Sequence, residues 1–516
     1  MFNFLKPLYP FLLFIFSVYV NNYYGSIGVF PVDSFAFFDS AYSINHGMIP
    51  FRDYWVMNGP IIDLIQSLFF NFLGTSWKTY LIHSSMVNGI FALTTYFFLK
   101  KLGLESYKSL FYSILVSILT YPGVGVPFPD HHSIIFSIIG FYVLYFATAS
   151  EKYIYWFILP IPFFIAFFSK QVPAAYFIIL LLVFLFYYFL EKKRTKQLIA
   201  FSTSCFVLIV ALIFYLKFNK IEIKDFIYQY FLFPQTIGKH RINNVDLNFY
   251  LSKFINDFKF IFLSLFIFLA VLIKKFANRD IKLNKKNIFN YMLWLCIIFI
   301  SVHHQILTKN QNFIFFLIPI ILGITHATIA SKQEKYKFLV FFLLILSLVV
   351  TTKYHLRFNI DRKFMELENF DKIKFQQGEM ISKNLKGLKW ITPKFNNNSG
   401  EEMELLISTI NYLKKTSLNK IIITEYQFIL AEIEHKIYSP NRWYTTDGVS
   451  YPTKNNKYFN YYNEFYKNAL VRNKVDTIFT IMPLNVKNFE FIFEKDCIKT
   501  VKINKILSKH DVKDCF

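Results

Sequence analysis

Long, nearly unbroken apolar runs occupy the chain up to about residue 353 and give way to shorter mixed patterns after it. Runs near the ~20 residues needed to cross a bilayer begin at Phe4, Tyr80, Leu110, Ser133, Tyr153, Pro173, Leu198, Phe258, Tyr291, Phe313 and Phe338. They predict a polytopic α-helical membrane protein of about eleven transmembrane helices. The stretch from Pro60 to Leu73 is too short to span and carries Asp63 and Gln66, so it reads as an amphipathic helix lying in the interface. It sits inside a large first outer loop that follows the first run.

The polar positions between the runs fix an orientation. Basic clusters at Lys100, Lys101 and Lys108, at Lys192, Lys193, Arg194 and Lys196, at Lys274 to Lys286, and at Lys332, Lys335 and Lys337 all fall on loops of one side. The excess of Lys and Arg on cytoplasmic loops then places the N-terminus in the cytoplasm and, for an odd number of spans, exports the tail. Two domains follow: a transmembrane domain over 1–353 and an extracytoplasmic α/β domain over 354–516. Asn21, Asn22, Tyr23 and Tyr24 follow the first run where a signal peptide would carry small residues, so that run is read as a retained helix.

The tail has its own periodicities. Ser399, spaced like a capping box from Glu402, opens a predicted helix whose Met403, Leu406, Ile410 and Leu413 recur at helical spacing. Short β-branched runs over 421–424 and 475–481 predict strands. The loop between them carries Arg442, Trp443, Tyr444 and Asp447, which read either as a sugar or headgroup contact or as a loop anchored on its aromatic residues.

Composition agrees with a membrane location: 54% of residues are hydrophobic and 66 are Phe. A formal net charge of +23 would point to nucleic acid in a soluble chain. Here it belongs to cytoplasmic loops beside anionic lipid, and no nucleic-acid partner is assigned. Of four cysteines, Cys205 and Cys296 lie inside predicted spans, whereas Cys497 and Cys515 lie in the exported tail, where a disulfide between them is expected.

With the sides assigned, ionisable and polar residues gather at the outer ends of the helices. Asp33, Asp39, Arg52, Asp53 and Asn58 lie in the first outer loop, Asp130, His131 and His132 at the next, then Lys170 and Gln171, His240 and Arg241, and finally His303, His304, Gln305, Lys309 and Gln311. Such groups are costly at membrane depth and face a cavity or a partner when they persist. Asp130, His131 and His132 have metal-ligand chemistry, but consecutive helical residues point in different directions, so neither a metal nor another cofactor is assigned. An acid set against several cations suits group transfer from a phosphate-linked donor. The carboxylate takes a proton from an attacking hydroxyl, and Arg52, Lys170, Gln171, His240, Arg241, His303, His304 and Lys309 supply contacts to the departing phosphate and substrate.

Asp33, the Gly47 that follows fourteen residues later, the run Pro50-Phe51-Arg52-Asp53-Tyr54 and the turn Asn58-Gly59-Pro60 together resemble the C superfamily of polytopic glycosyltransferases (GT-C). The likeness is to bacterial members similar to the protein O-mannosyltransferase and aminoarabinose transferase group. Segments around Lys170, before Arg241, and from His304 to Pro319 look like further family segments. The resemblance covers roughly 1–353 and implies a polyprenyl-phosphate sugar donor, inversion, Asp33 as general base, and a bacterial inner membrane location with a periplasmic tail. Phe51 stands where relatives have Tyr, and Ser34 follows Asp33 where many have a second acid, which leaves Asp39 and Asp53 for that place.

The expected function is therefore transfer of a sugar to a glycolipid, glycan or protein acceptor at the outer face, with membrane lipids as surroundings. The alternative is a many-span lipid or solute transporter, which also buries charge but shows paired repeats and interrupted midplane helices. A polymerase or ligase using a diphosphate-linked donor is a third reading, against which the first-loop Asp argues.

Overall fold

The computed structural model describes residues 6–150, 152–191, 194–243, 247–277, 285–308, 314–330, 335–363, 367–368, 375–395, 398–416, 419–445, 448–481, 493 and 497–515. It separates into two compact units, one of Met1–Gly25, Ser84–Val210 and Asn244–Lys363, the other of Ser26–His83, Ala211–Asn243 and Phe364–Phe516.

Each of the eleven apolar runs falls on a helix: Tyr9–Gly25, Trp77–Lys101, Ser106–Leu119, Pro129–Ser150, Tyr153–Ser169, Gln171–Glu191, Thr195–Phe218, Leu247–Ala277, Lys285–Leu307, Leu317–Ile329 and Lys337–Leu356. Among the described residues, six helices are long and apolar enough to cross a membrane by length and composition. The others are shorter, as Ser106–Leu119 is with 14 residues, or are interrupted by polar groups, as Trp77–Lys101 is by His83, Ser84, Ser85 and Asn88. Helix Thr195–Phe218 exposes Ile199, Phe206, Ile209 and Phe214. Hydrocarbon, not water, is the solvent that tolerates such a face.

Polar side chains and small residues join the helices of the first unit, as they do where lipid gives no hydrophobic drive to helix association. Asn21 Nδ2 lies 3.0 Å from Ser84 Oγ, 2.9 Å from Ser85 Oγ and 3.1 Å from the Gly125 carbonyl. Asn88 donates to the carbonyls of Ser17 and Ser117. A Cβ at Gly125 would come within 2.4 Å of Gly25 Cα, so backbone meets backbone there and only glycine fits.

In the second unit, strands Lys420–Ile423 and Thr477–Ile481 pair in parallel, with Ile421 opposite Ile478. Leu507–Asp511 adds antiparallel to Thr477–Ile481, and the exposed strand Lys499–Lys502 closes the edge. Ile421, Ile423 and Ile478 share a core with Tyr462, Phe465 and Tyr466 of helix Phe459–Arg472. Tyr412 of helix Ser399–Lys414 meets Phe479. Met403, Leu406, Ile410 and Leu413 are buried, as their spacing predicts. Trp55 and Phe233 belong to the Tyr462 core too, so segments distant in sequence complete the domain.

The start of helix Ser399–Lys414 corrects one expectation. Asn398 is the N-cap, its side chain accepting from the Glu401 amide. Glu402 turns inward, where Trp390 Nε1, Thr392 Oγ1 and Tyr426 Oη all donate to it. Burial still pushes its carboxyl above the ordinary range, against those hydrogen bonds.

Candidate functional site

The predicted residues divide between the two units, and each set is built differently. In the first unit, Asp130 occupies the first turn of helix Pro129–Ser150, and Lys170 is the C-cap of helix Pro160–Ser169. Each charge lies at the helix pole that favours it. Lys170 Nζ approaches Asp130 Oδ2 at 2.6 Å, and His304 Nε2, from the last turn of helix Lys285–Leu307, stands 3.6 Å from Asp130 Oδ1. Asp130 and His304 are buried, while the Lys170 side chain keeps 20% exposure. A cation held by a buried acid, yet open on one side, can meet an arriving anion. His303, about 100° further round the same helix, turns away to Tyr250 Oη at 3.0 Å. Gln171 opens the helix after Lys170 and is half-buried.

Asp130, His131 and His132 form no metal site. His131 Nε2 lies 2.9 Å from the Thr120 carbonyl, and His132 is taken by Tyr121 Oη and the Phe128 carbonyl. Among the described residues no group of three His, Cys, Asp or Glu side chains could hold a metal ion. His240 and Arg241 lie on helix Phe233–Asn243 with side chains outside the described residues, as are Lys309, Gln311 and Asp447 altogether.

In the second unit, four acids of the first loop meet different fates. Asp39, Asp53 and Asp63 retain 3%, 5% and 0% exposure, whereas Asp33 is half-buried. Asp39 accepts the Leu430 and Ala431 amides, both at 3.1 Å, and burial pushes its carboxyl up to about 8 despite those bonds. Asp53 holds Arg52 at 2.6 Å and Arg472 at 2.9 Å and accepts the Ile49 amide. Asp63 pairs with Arg442 and accepts from Ser40 Oγ at 2.5 Å and Tyr54 Oη at 3.0 Å.

Arg442 was open to a role in ligand contact; it is instead 3% exposed, donates to the Asn58 carbonyl at 2.9 Å and lies over the Phe37 ring at 4.5 Å. Gly59, with φ of +70°, begins the turn into helix Pro60–Leu73, and a Cβ there would strike Phe37 at 2.5 Å. In that helix Asp63, Gln66 and Ser67 point inward while Leu68, Phe72 and Leu73 are exposed, an inside-out amphipathicity suited to an apolar surrounding.

Asp33 lies in the one-turn helix Pro31–Ser34. Its amide donates to the Phe30 carbonyl at 3.0 Å, the Ser34 hydroxyl accepts the Phe30 amide at 2.9 Å, and Trp443 Nε1 donates to the Val32 carbonyl at 3.1 Å. Asp33, Asp39 and Asp53 are all legible in the sequence as first-loop acids, but the burial of Asp39, Asp53 and Asp63 is not, because Leu430, Ala431, Arg472 and Arg442 reach them from the far end of the chain.

No protein-family model matches the chain, and no curated protein is similar to it. Among solved structures it is similar to the archaeal oligosaccharyltransferase AglB from Archaeoglobus fulgidus, determined in complex with an inhibitory peptide and a dolichol-phosphate. That likeness has a TM-score of 0.44 at 9% identity and covers 94% of this chain and 70% of that one.

Proposed function

We propose that this protein is a membrane glycosyltransferase that moves a sugar from a polyprenyl-phosphate donor to a hydroxyl of a glycolipid, glycan or protein acceptor at the outer face of a bacterial inner membrane. The observation that carries the reading is the division among the first-loop acids. Asp39, Asp53 and Asp63 are buried in hydrogen bonds and ion pairs, and Asp33 alone of the four keeps partial exposure. An acid that must reach an incoming hydroxyl needs that exposure.

The acceptor oxygen attacks the anomeric carbon in line with the departing phosphate, so configuration inverts. Asp33 takes the acceptor's proton as the new bond forms. The bond from the sugar to phosphate breaks, and the polyprenyl phosphate leaves as an anion. The basic groups that the sequence places at the outer helix ends, Lys170 and His304 among them, are the candidates for its charge.

Asp33→Asn preserves size and polarity and removes the base. In purified, equally folded protein, transfer from a polyprenyl-phosphate sugar should fall about 10²- to 10⁴-fold with donor binding little changed. Full transfer by that variant would reject Asp33 as the base. Absence of any transfer by the unaltered protein, together with passage of lipid or solute across vesicles, would support the transporter reading instead.

A further inference from the structure

We propose that Trp443 is a positioning residue for Asp33, so that the C-terminal part of the chain takes part in the reaction by fixing the base. The inference rests on the reading of Asp33 as that base, and it starts from the short stretch of backbone that carries this acid. Asp33 lies in a helix of four residues, too short to hold itself, since a first helical turn fixes several dihedral angles for very few hydrogen bonds. Its turn closes on local backbone bonds, in which the amides of Asp33 and Ser34 reach the Phe30 carbonyl and that of Phe35 reaches Pro31.

A further bond comes from 411 positions away: Trp443 Nε1 donates to the carbonyl of Val32 at 3.1 Å. That carbonyl and the Asp33 amide belong to one peptide plane. The plane is therefore held at both ends, by Trp443 at its oxygen and by the Phe30 carbonyl at its nitrogen, and this pair orients the backbone from which the Asp33 side chain leaves.

The indole is itself held. Its ring meets Phe37 edge-on at 6.3 Å, and the neighbouring Arg442 is locked to Asp63 and Asn58. Nearby, Trp55 donates its amide to the Pro440 carbonyl, Asp39 donates its amide to Gln427, and Gln427 Nε2 donates to the Arg442 carbonyl. The segment that delivers Trp443 is thus fastened to the part of the first loop that follows Asp33. A displacement of about 1 Å at a catalytic group can cost about 10²-fold in rate, whereas the substrate contacts made elsewhere are untouched.

The test compares Trp443→Phe, and Trp443→benzothienylalanine, which keeps the bicyclic shape and loses only the N–H, each with Asp33 intact and in an Asp33→Asn background. Full-length protein in lipid nanodiscs would be given undecaprenyl-phosphate mannose or glucose as probe. With Asp33 present, kcat should fall about 10- to 100-fold while KM for the donor changes less than about twofold. In the Asp33→Asn background the same substitutions should cost nothing further, because Trp443 acts only through Asp33. Equal losses in both backgrounds, or unchanged kcat with Asp33 present, would overturn the proposal while leaving Asp33 as the base. Undiminished transfer by Asp33→Asn would overturn the base itself. Hydrogen exchange at the Asp33 amide gives an answer independent of turnover: it should quicken in the benzothienylalanine variant, and unchanged protection would refute the clamp.

Discussion

A carboxylate buried with its partners and a carboxylate left half-open are the same letter in the sequence, and the difference between them is a matter of what arrives from elsewhere in the chain. Asp39 finds the Leu430 and Ala431 amides, and Asp63 finds Arg442 across 379 positions. Neither partner is visible in local patterning, which explains why Asp39 and Asp53 could stand beside Asp33 as acids until their surroundings were known. The burial of Asp39 also has a measurable effect. Its carboxyl is raised from 3.8 to about 8, so between those values the folded protein binds more protons than the unfolded chain, and stability falls as pH rises. His510, between Thr480 and Thr500, acts oppositely: burial lowers it from 6.5 to about 4, so stability there rises with pH. The two oppose each other between about 4 and 6.5, and of this pair Asp39 alone goes on titrating from about 6.5 to 8. Denaturation followed across that upper window should show stability declining by up to about 1.4 kcal/mol per pH unit, and Asp39→Asn should remove the slope. A flat wild-type profile there would mean that Asp39 titrates normally.

At the scale of elements, the helices were legible because apolar runs leave a strong trace, and so were the strands Lys420–Ile423 and Thr477–Ile481, which are β-branched and buried on both faces. Strand Lys499–Lys502 escaped notice because its lysines suit an edge that must not pair with other chains, and the interior strand Leu507–Asp511 because Ser508, Lys509 and His510 break its apolar pattern. The cap of helix Ser399–Lys414 was misread by one residue, since Asn398 and Ser399 are both good caps and only the inward turn of Glu402 decides between them. The expected disulfide is present: Cys497 and Cys515 are joined, with Cα atoms 5.2 Å apart. They flank the hairpin in which Lys499 lies opposite Asp511, and the bond closes its open end. Alkylation of unreduced, denatured protein should label neither cysteine, and reduction should destabilise the domain by about 3 kcal/mol, the value for a loop of this length. Stoichiometric labelling of Cys515 without reductant would show that the bond does not form.

For the whole molecule, the composition of the second unit constrains the membrane topology more tightly than charge alone. Ser26–His83, Ala211–Asn243 and Phe364–Phe516 pack within that one unit, so they must lie on the same side of the membrane. The number of crossings between successive segments must therefore be even. Six apolar runs begin from Tyr80 to Leu198, and four begin from Phe258 to Phe338, both even. The proposed orientation, read from the basic loops, puts all three segments outside. The disulfide is in keeping with that proposal, because an oxidising compartment is where such a bond persists. Reporter fusions after Lys196, Lys286 and Lys353 should read inside, inside and outside. A cytoplasmic signal at the last position would place the tail apart from the first loop, and with it Trp443 from Val32. Reversed signals at all three positions would instead put Asp33 on the wrong side for a donor whose sugar is presented at the outer face, so this one measurement bears on the topology, the clamp and the proposed chemistry together.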